Sequence, residues 1–453
     1  MTKFIRHHLT TATLVALTLL APVSLTPVRA LVEFPSGRIS LQASATGTYD
    51  SYMIGTQNRG DDYYATFVPR LSYDHLIGPT QLNIYGAVSM IRYMNNPQFN
   101  ANDLSAGISS SLPVVEGSRL SGRFGASYNE STQIDPIVND RIPTKNYQFD
   151  FSAGYRTGLK TSLTDSVNYS RNEREIYGNQ TIWSNNLGFT YSDFLEDTNL
   201  TLTHGYTRTK STASDYSKFI DPELAGNIPR SDLNQNANSL NVGVAHPVYG
   251  QIIGEASYGY MVIHRGASET IGGETTQKSS VYTFNLTGPL LPPTRFPKIE
   301  SSATLSYSQS QSPGINDTGN KTLTGNARLA WNARERTRVS LGASRSTSLG
   351  ANNFSLDTTQ VDFGVLENIG LATSLNFTAS YVWRTFRGIN RHDNDINAGV
   401  SLNHSLTKHW SVGANYTYQN NNTNTPASSF QAVRYQLDDY TRHVVSLSVT
   451  GSY

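Results

Sequence analysis

The sequence predicts an all-β fold, a transmembrane antiparallel β-barrel of about 20 strands, with about 18 the nearest alternative. Three observations predict it. Segments that alternate apolar and polar side chains follow one another from Ile39 to the end of the chain. The connections between them alternate between short and long. The composition is 37% hydrophobic and 15% charged, with 35 Gly and 26 Tyr. That hydrophobic share is low for a globular chain of this length, and a disordered chain would have fewer aromatics and more charge. A membrane barrel needs only every second residue apolar, because its other face meets water.

The chain opens with Lys3 and Arg6, an apolar run from about Leu9 to Leu20, and small residues ending Val28-Arg29-Ala30. This is the order of a secretory signal peptide. The run is shorter than the roughly 20 apolar residues of a membrane helix and is broken by Pro22 and Pro27. The expected division is a signal peptide at 1–30, cleaved after Ala30, and a barrel at 31–453. The chain has no cysteine, so an exported protein of this sequence draws its stability from elsewhere than disulfides.

The first strand is expected at Ile39–Tyr52, with Ile39, Leu41, Ala43, Ala45, Gly47 and Tyr49 on one face. Tyr63–Asp74 returns, and Thr80–Tyr93 goes back, with Leu82, Ile84, Val88 and Met90 sharing a register. The beat continues at Leu104–Leu112, Arg119–Thr132, Asn146–Arg156, Thr161–Arg174, Thr181–Asp193 and Thr198–Lys210. It resumes at Ser239–His246, Ile252–Arg265, Ser280–Gly288, Ile299–Gln311, Thr322–Ala333 and Arg338–Thr347. Leu356–Asn368, Ser374–Phe386, Asn394–Leu406, Trp410–Asn420 and a strand from Tyr440 complete it. Every second connection is short, as at His75–Pro79, Thr157–Lys160, Asp193–Asp197 and Arg334–Thr337. Those between are mostly longer and polar, as at Gln133–Lys145, Ser211–Gln235 and Asn421–Asp439. Outer-membrane barrels show this alternation, with short periplasmic turns and long extracellular loops. Propellers and sandwiches do not.

On strands running outward, the apolar face tends to finish on tyrosine: Tyr49, Tyr128, Tyr169, Tyr206, Tyr307 and Tyr381. These residues are expected to form an aromatic girdle at the outer interface, where ring and hydroxyl are both satisfied. The opposite parity is expected to face the lumen. It reads Ser162, Thr164, Ser166, Asn168, Ser170 in one strand and Ser411, Gly413, Asn415, Thr417, Gln419 in another. Such small hydroxyl and amide groups line water well and fill space badly. Barrels of about 16–18 strands already leave a channel.

Inward charges are few. Arg70, Arg119, Arg123, Arg156, Arg328 and Arg338 take the lumen parity near the periplasmic end, as do Asp150 and Glu300; Glu255, Asp362 and Arg384 lie higher. Two readings stay open: a weakly basic mouth that draws in an anionic or polar cargo, or arginines that are solvated or paired with Asp150 and Glu300. The net charge of +1 leaves no nucleic-acid footprint. No catalytic motif, cofactor motif or metal site is read from the sequence, and no enzyme is expected. His392-Asp393-Asn394-Asp395 carries oxygen ligands of the kind calcium takes in an outer loop but reads first as an Asp/Asn-rich turn.

In the last strand, Val445, Leu447, Val449, Gly451 and Tyr453 share one parity and Ser446, Ser448, Thr450 and Ser452 the other. A C-terminal strand closed by an aromatic residue resembles the assembly signal of bacterial outer-membrane barrels, with Val445, Leu447, Val449 and Tyr453 carrying it. Together with the signal, the tyrosine-tipped strands and the Ser/Thr/Asn-rich inner faces, it makes the whole mature chain resemble the β-barrel porin family that accompanies exopolysaccharide secretion genes. The resemblance implies a pore in the outer membrane of a Gram-negative bacterium that conducts a secreted polysaccharide or other polar solute. It implies outer-membrane lipid and lipopolysaccharide, the barrel assembly machinery and periplasmic polysaccharide export components as partners. A general diffusion porin, and a loop-plugged barrel serving as adhesin or scaffold, are the alternatives.

Overall fold

The structure is a computed structural model. It describes residues 32–53, 60–112, 118–135, 140–174, 178–212, 233–266, 275–288, 298–311, 320–349, 355–387, 391–424 and 439–452. The signal-peptide reading at 1–30 and the terminal ring of Tyr453 lie outside the described residues.

A three-residue strand, β1 (Val32–Phe34), folds back on the start of β2 (Gly37–Asp50). The wall then runs through β3 (Asp62–Ile77), β4 (Thr80–Tyr93), β5 (Ala101–Leu112), β6 (Leu120–Asp135), β7 (Asp140–Arg156), β8 (Thr161–Arg174), β9 (Gln180–Leu195) and β10 (Thr198–Ser211). It continues as β11 (Leu233–Tyr249), β12 (Ile252–Arg265), β13 (Thr275–Gly288), β14 (Ile299–Gln311), β15 (Asn320–Arg334) and β16 (Thr337–Leu349). It ends with β17 (Ser355–Ile369), β18 (Thr373–Arg387), β19 (Arg391–Ser405), β20 (Trp410–Thr423) and β21 (Tyr440–Ser452). Each strand from β2 to β21 pairs antiparallel with its neighbours in sequence. β21 also pairs with β2, from Gln42↔Ser452 to Asp50↔Val444. The sheet is thereby a closed antiparallel barrel of 20 strands, without the exposed edge that an open sheet would carry.

The short connections are tight. Gly78–Pro79, Glu196–Asp197, Gly250–Gln251 and Glu335–Arg336 are turns between consecutive strands. Gly78 (φ 59°), Gly250 (φ 56°) and Asp197 (φ 56°) take the left-handed conformation that two-residue hairpin turns require. Several strands run past their expected ends. β7 begins at Asp140, where the sequence suggested Asn146, and β11 spans Leu233–Tyr249 in place of Ser239–His246. Ladder hydrogen bonds do not depend on side-chain polarity, so the hairpins continue beyond the apolar band. For the same reason His392–Asp395 is part of β19, not a turn, and Asp393 and Asp395 are buried.

At the long-loop rim, residues 94–100 form a connection with a short 3₁₀ turn at Pro97–Phe99. Phe99 is buried, and its ring lies edge-on to Tyr93 at 6.2 Å. Asp62, fully buried, holds this connection by accepting from the Asn95 amide (3.0 Å) and Asn96 Nδ2 (2.8 Å).

An ion pair spans the seam where the barrel closes. Arg442 of β21 donates from Nε to Asp50 Oδ1 at 2.9 Å and from Nη2 to Oδ2 at 2.5 Å. The fork is bidentate, and the Asp50 side chain is only 3% exposed. Removing one partner of such a pair strands a buried charge and costs about 3 kcal/mol. Arg442→Ala is expected to lower the heat-unfolding midpoint of the refolded barrel, read as gel mobility after stepwise heating. Adding Asp50→Asn is expected to restore part of the loss. An unchanged midpoint in Arg442→Ala would show that the pair does not support closure.

Candidate functional site

Register assigns each side chain to a face. Leu41↔Leu71, Phe151↔Val167 and Val400↔Tyr416 are directly paired, and their parity continues around the barrel. Leu71, Leu187, Leu305 and Leu341 on that parity are each about half exposed, as expected of a wall facing lipid. Val445, Leu447 and Val449 share it, seated between Tyr49, Gly47 and Ala45 of β2 and Tyr416, Ala414 and Val412 of β20. The last strand is thus held on both sides by the same apolar face.

The aromatic residues gather near the long-loop rim. Tyr128 lies 5.1 Å from Tyr147, Trp183 5.5 Å from Tyr206, Tyr258 5.1 Å from Tyr282, Tyr282 6.4 Å from Tyr307 and Tyr381 4.3 Å from Trp383. Tyr169 is the register neighbour of Phe149 and Trp183. Tyr49 differs from the others. It is 4% exposed, its ring is 4.8 Å from Tyr63, and its hydroxyl donates to Asp61 at 3.3 Å. It packs within the rim instead of presenting a ring to lipid.

The other parity lines the lumen. One register row crosses eight strands: Ser302↔Arg328↔Gly342↔Asp362↔Ser380↔Asn397↔Gln419↔Arg442. Seven steps at about 4.8 Å make a path of roughly 34 Å. Because strands of a barrel tilt from its axis, the row climbs from near the short-turn rim, at Ser302, to the long-loop rim, at Arg442. Above and below it, Gln360, Asn376, Thr378, Asn415 and Thr417 line a recess of about 470 Å³. Gly342 leaves room for Asp362 to lean across it: a Cβ there would lie 2.5 Å from the carboxylate oxygens.

The six expected lumen arginines do not form one ring. Arg123 pairs with Asp150 at 3.7 Å and Arg338 with Glu300 at 2.9 Å. The Arg70 guanidinium stands 4.1 Å above the Tyr85 ring, a cation–π contact. Arg119, Arg156 and Arg328 are exposed and have no ion-pair partner among the described residues. Arg119 and Arg156 are brought together, the Arg156 amide donating to the Arg119 carbonyl at 2.8 Å. Higher up, Asn285 donates to Glu255 at 3.2 Å and Arg384 pairs with Asp395. At the short-turn rim, a 2.6 Å bond to Asp193, reinforced by that carboxylate's charge, raises the pKa of Lys160.

Sequence reasoning missed the long-loop mouth. Tyr52 stacks on Tyr440 at 5.2 Å, and Tyr64 lies 4.9 Å from Tyr93. Arg442 also donates to Gln419 at 3.2 Å. Tyr64, Tyr93, Tyr440 and Arg442 all take inward parity in their strands, and that was the available signal. Most other tyrosines of the described strands sit on the lipid parity, which masked it; Tyr85, beneath Arg70, is inward as well.

The fold and lining define an outer-membrane-type β-barrel of porin-like architecture. The family described as "Putative beta-barrel porin 2" matches residues 308–449, from β14 to β21. No curated protein matches the sequence. The chain is similar in fold to the ferric citrate transporter FecA in its unliganded form, at 9% identity and TM-score 0.57, covering 92% of this chain and 78% of that one. It is likewise similar to the FrpB iron transporter of Neisseria meningitidis, at 8% identity and TM-score 0.55, covering 94% and 82%. The ferric-catecholate import receptor Fiu of E. coli K12 aligns at 9% identity and TM-score 0.51, covering 94% and 82%. At these identities the likeness concerns the fold.

The arginine geometry yields a selectivity ranking. Replacing Arg119, Arg156 and Arg328 with Ser is expected to move the reversal potential in a KCl gradient toward cation preference. Replacing the pairs whole, Arg123 and Arg338 with Ser, Asp150 with Asn and Glu300 with Gln, is expected to move it less, because each pair carries no net charge. Equal shifts in the two variants would show that the ion pairs do not screen the lumen.

Proposed function

We propose that the chain is a channel in the outer membrane of a Gram-negative bacterium and that it conducts a secreted polysaccharide or another polar solute. The observation that carries this reading is the row from Ser302 to Arg442, with the amide- and hydroxyl-lined recess beside it. Amides and hydroxyls donate and accept alike. A sugar chain can exchange one such bond for the next along the row, so no single contact holds it. The paired tyrosines at the mouth, Tyr52 with Tyr440 and Tyr64 with Tyr93, add apolar faces against which sugar rings can slide. The lipid face is suited to lipopolysaccharide and bilayer lipid, the last strand to the barrel assembly machinery, and the short-turn rim to periplasmic polysaccharide export components.

Single-channel conductance of the refolded barrel, with and without oligosaccharides, tests the reading. Steady conductance with transient sugar-induced closures is expected. In Asn397→Leu combined with Gln419→Leu those closures are expected to shorten about tenfold, equivalent to losing roughly 1.4 kcal/mol of hydrogen bonding. Conductance indifferent to sugars would favour a general diffusion porin. A barrel without conductance would favour the loop-plugged adhesin or scaffold.

A further inference from the structure

One sector of the lipid-facing wall departs from its apolar pattern. In β8 the outward column reads Leu163, Asp165, Val167, Tyr169. Asp165 is opposite Ala153 on one side and Leu187 on the other, which sets its carboxylate on the lipid parity, between the Leu163 and Val167 side chains. Asn185 of β9 donates to it at 2.7 Å. Asn185 lies two residues from Leu187 toward the long-loop rim, so it draws the carboxylate that way. On β10, His204 shares this face, opposite Leu187 and Leu240. It is exposed and has no hydrogen-bond partner among the described residues.

Ionisable groups in a hydrocarbon environment are costly, and where they occur they face a partner or a wet cavity. Here Asp165 is met only by the neutral Asn185 amide, and neither Asp165 nor His204 has an ion-pair partner among the described residues. Asp165 and His204 flank Leu187 across three adjacent strands, their backbones about 10 Å apart, and they do not meet. A carboxylate and an imidazole on either side of one leucine form a self-complementary patch. An isologous contact needs that property, because each residue on one copy meets its counterpart's partner on the other.

We infer that the β8–β10 wall is where a second copy of this chain docks. Both copies insert with the same rim outward, so the two-fold axis runs along the membrane normal, near Leu187. Asp165 of each copy then meets His204 of the other, and both are withdrawn from lipid. Leu202, Leu240 and Val242, all exposed on this face, supply the apolar surround.

The chain has no cysteine, so a single introduced thiol reports without background. Leu187→Cys, assembled in outer membranes and oxidised, is expected to give a disulfide-linked dimer on non-reducing gels. Leu402→Cys, on the lipid face of β19 across the barrel, is expected to stay monomeric. Adding Asp165→Leu and His204→Leu to Leu187→Cys leaves a wall compatible with lipid. It is expected to give a folded, heat-modifiable barrel whose cross-link yield falls at least fivefold. Cross-linking of Leu187→Cys no greater than that of Leu402→Cys would overturn the proposal. So would undiminished cross-linking in the double-leucine background, or a cross-link to a protein of different mass.

Discussion

Everything in this structure depends on closure. A β-sheet in a bilayer has no water to satisfy the amides and carbonyls of an exposed edge, so its first and last strands must pair. Here they do so over nine positions, Gln42–Asp50 against Val444–Ser452. The join is reinforced on both faces. Outward, Val445, Leu447 and Val449 continue the apolar surface without a gap. Inward, Arg442 reaches across to Asp50, and Thr48 donates to Ser446 at 3.2 Å. The pair lies 392 residues apart in sequence, so it forms only once the whole wall is assembled.

Closure also fixes what each residue can do. With the strands in register, parity alone decides whether a side chain meets lipid or water. The lipid parity carries leucines, valines and rim aromatics. The lumen parity carries hydroxyls, amides and a few charges that mostly neutralise one another, as Arg123 does with Asp150 and Arg338 with Glu300. The result is a wall that offers many weak contacts and few strong ones, which suits passage better than retention. Arg119, Arg156 and Arg328, which have no ion-pair partner among the described residues, lie toward the short-turn half of the strands.

Much of this was legible in the sequence because period-two alternation and turn chemistry are local. The expected segments all became strands, and the short turns fell at Gly78–Pro79, Glu196–Asp197 and Glu335–Arg336. Strand ends were less legible. The extension of β7 to Asp140 has no apolar pattern to announce it and follows from its partner, β6, continuing alongside. Side-chain partners were less legible still. Whether Arg123 is free or paired depends on Asp150, which lies on the next strand, and the sequence left both readings open. Tyr49 follows the girdle parity, yet Tyr63 and Asp61 enclose it. The intramembrane carboxylate of Asp165 interrupts an otherwise regular column, and only the register shows it sharing a face with His204.

The central claim is that alternate residues of each strand line a water-filled lumen. The direct measurement is reaction of single-cysteine variants along β20 with a membrane-impermeant thiol reagent, in membranes. Asn415→Cys and Thr417→Cys are expected to react fast, and Val412→Cys and Ala414→Cys slowly, because lipid covers them. Uniform reactivity along the strand, or protection of Asn415→Cys and Thr417→Cys, would contradict the account.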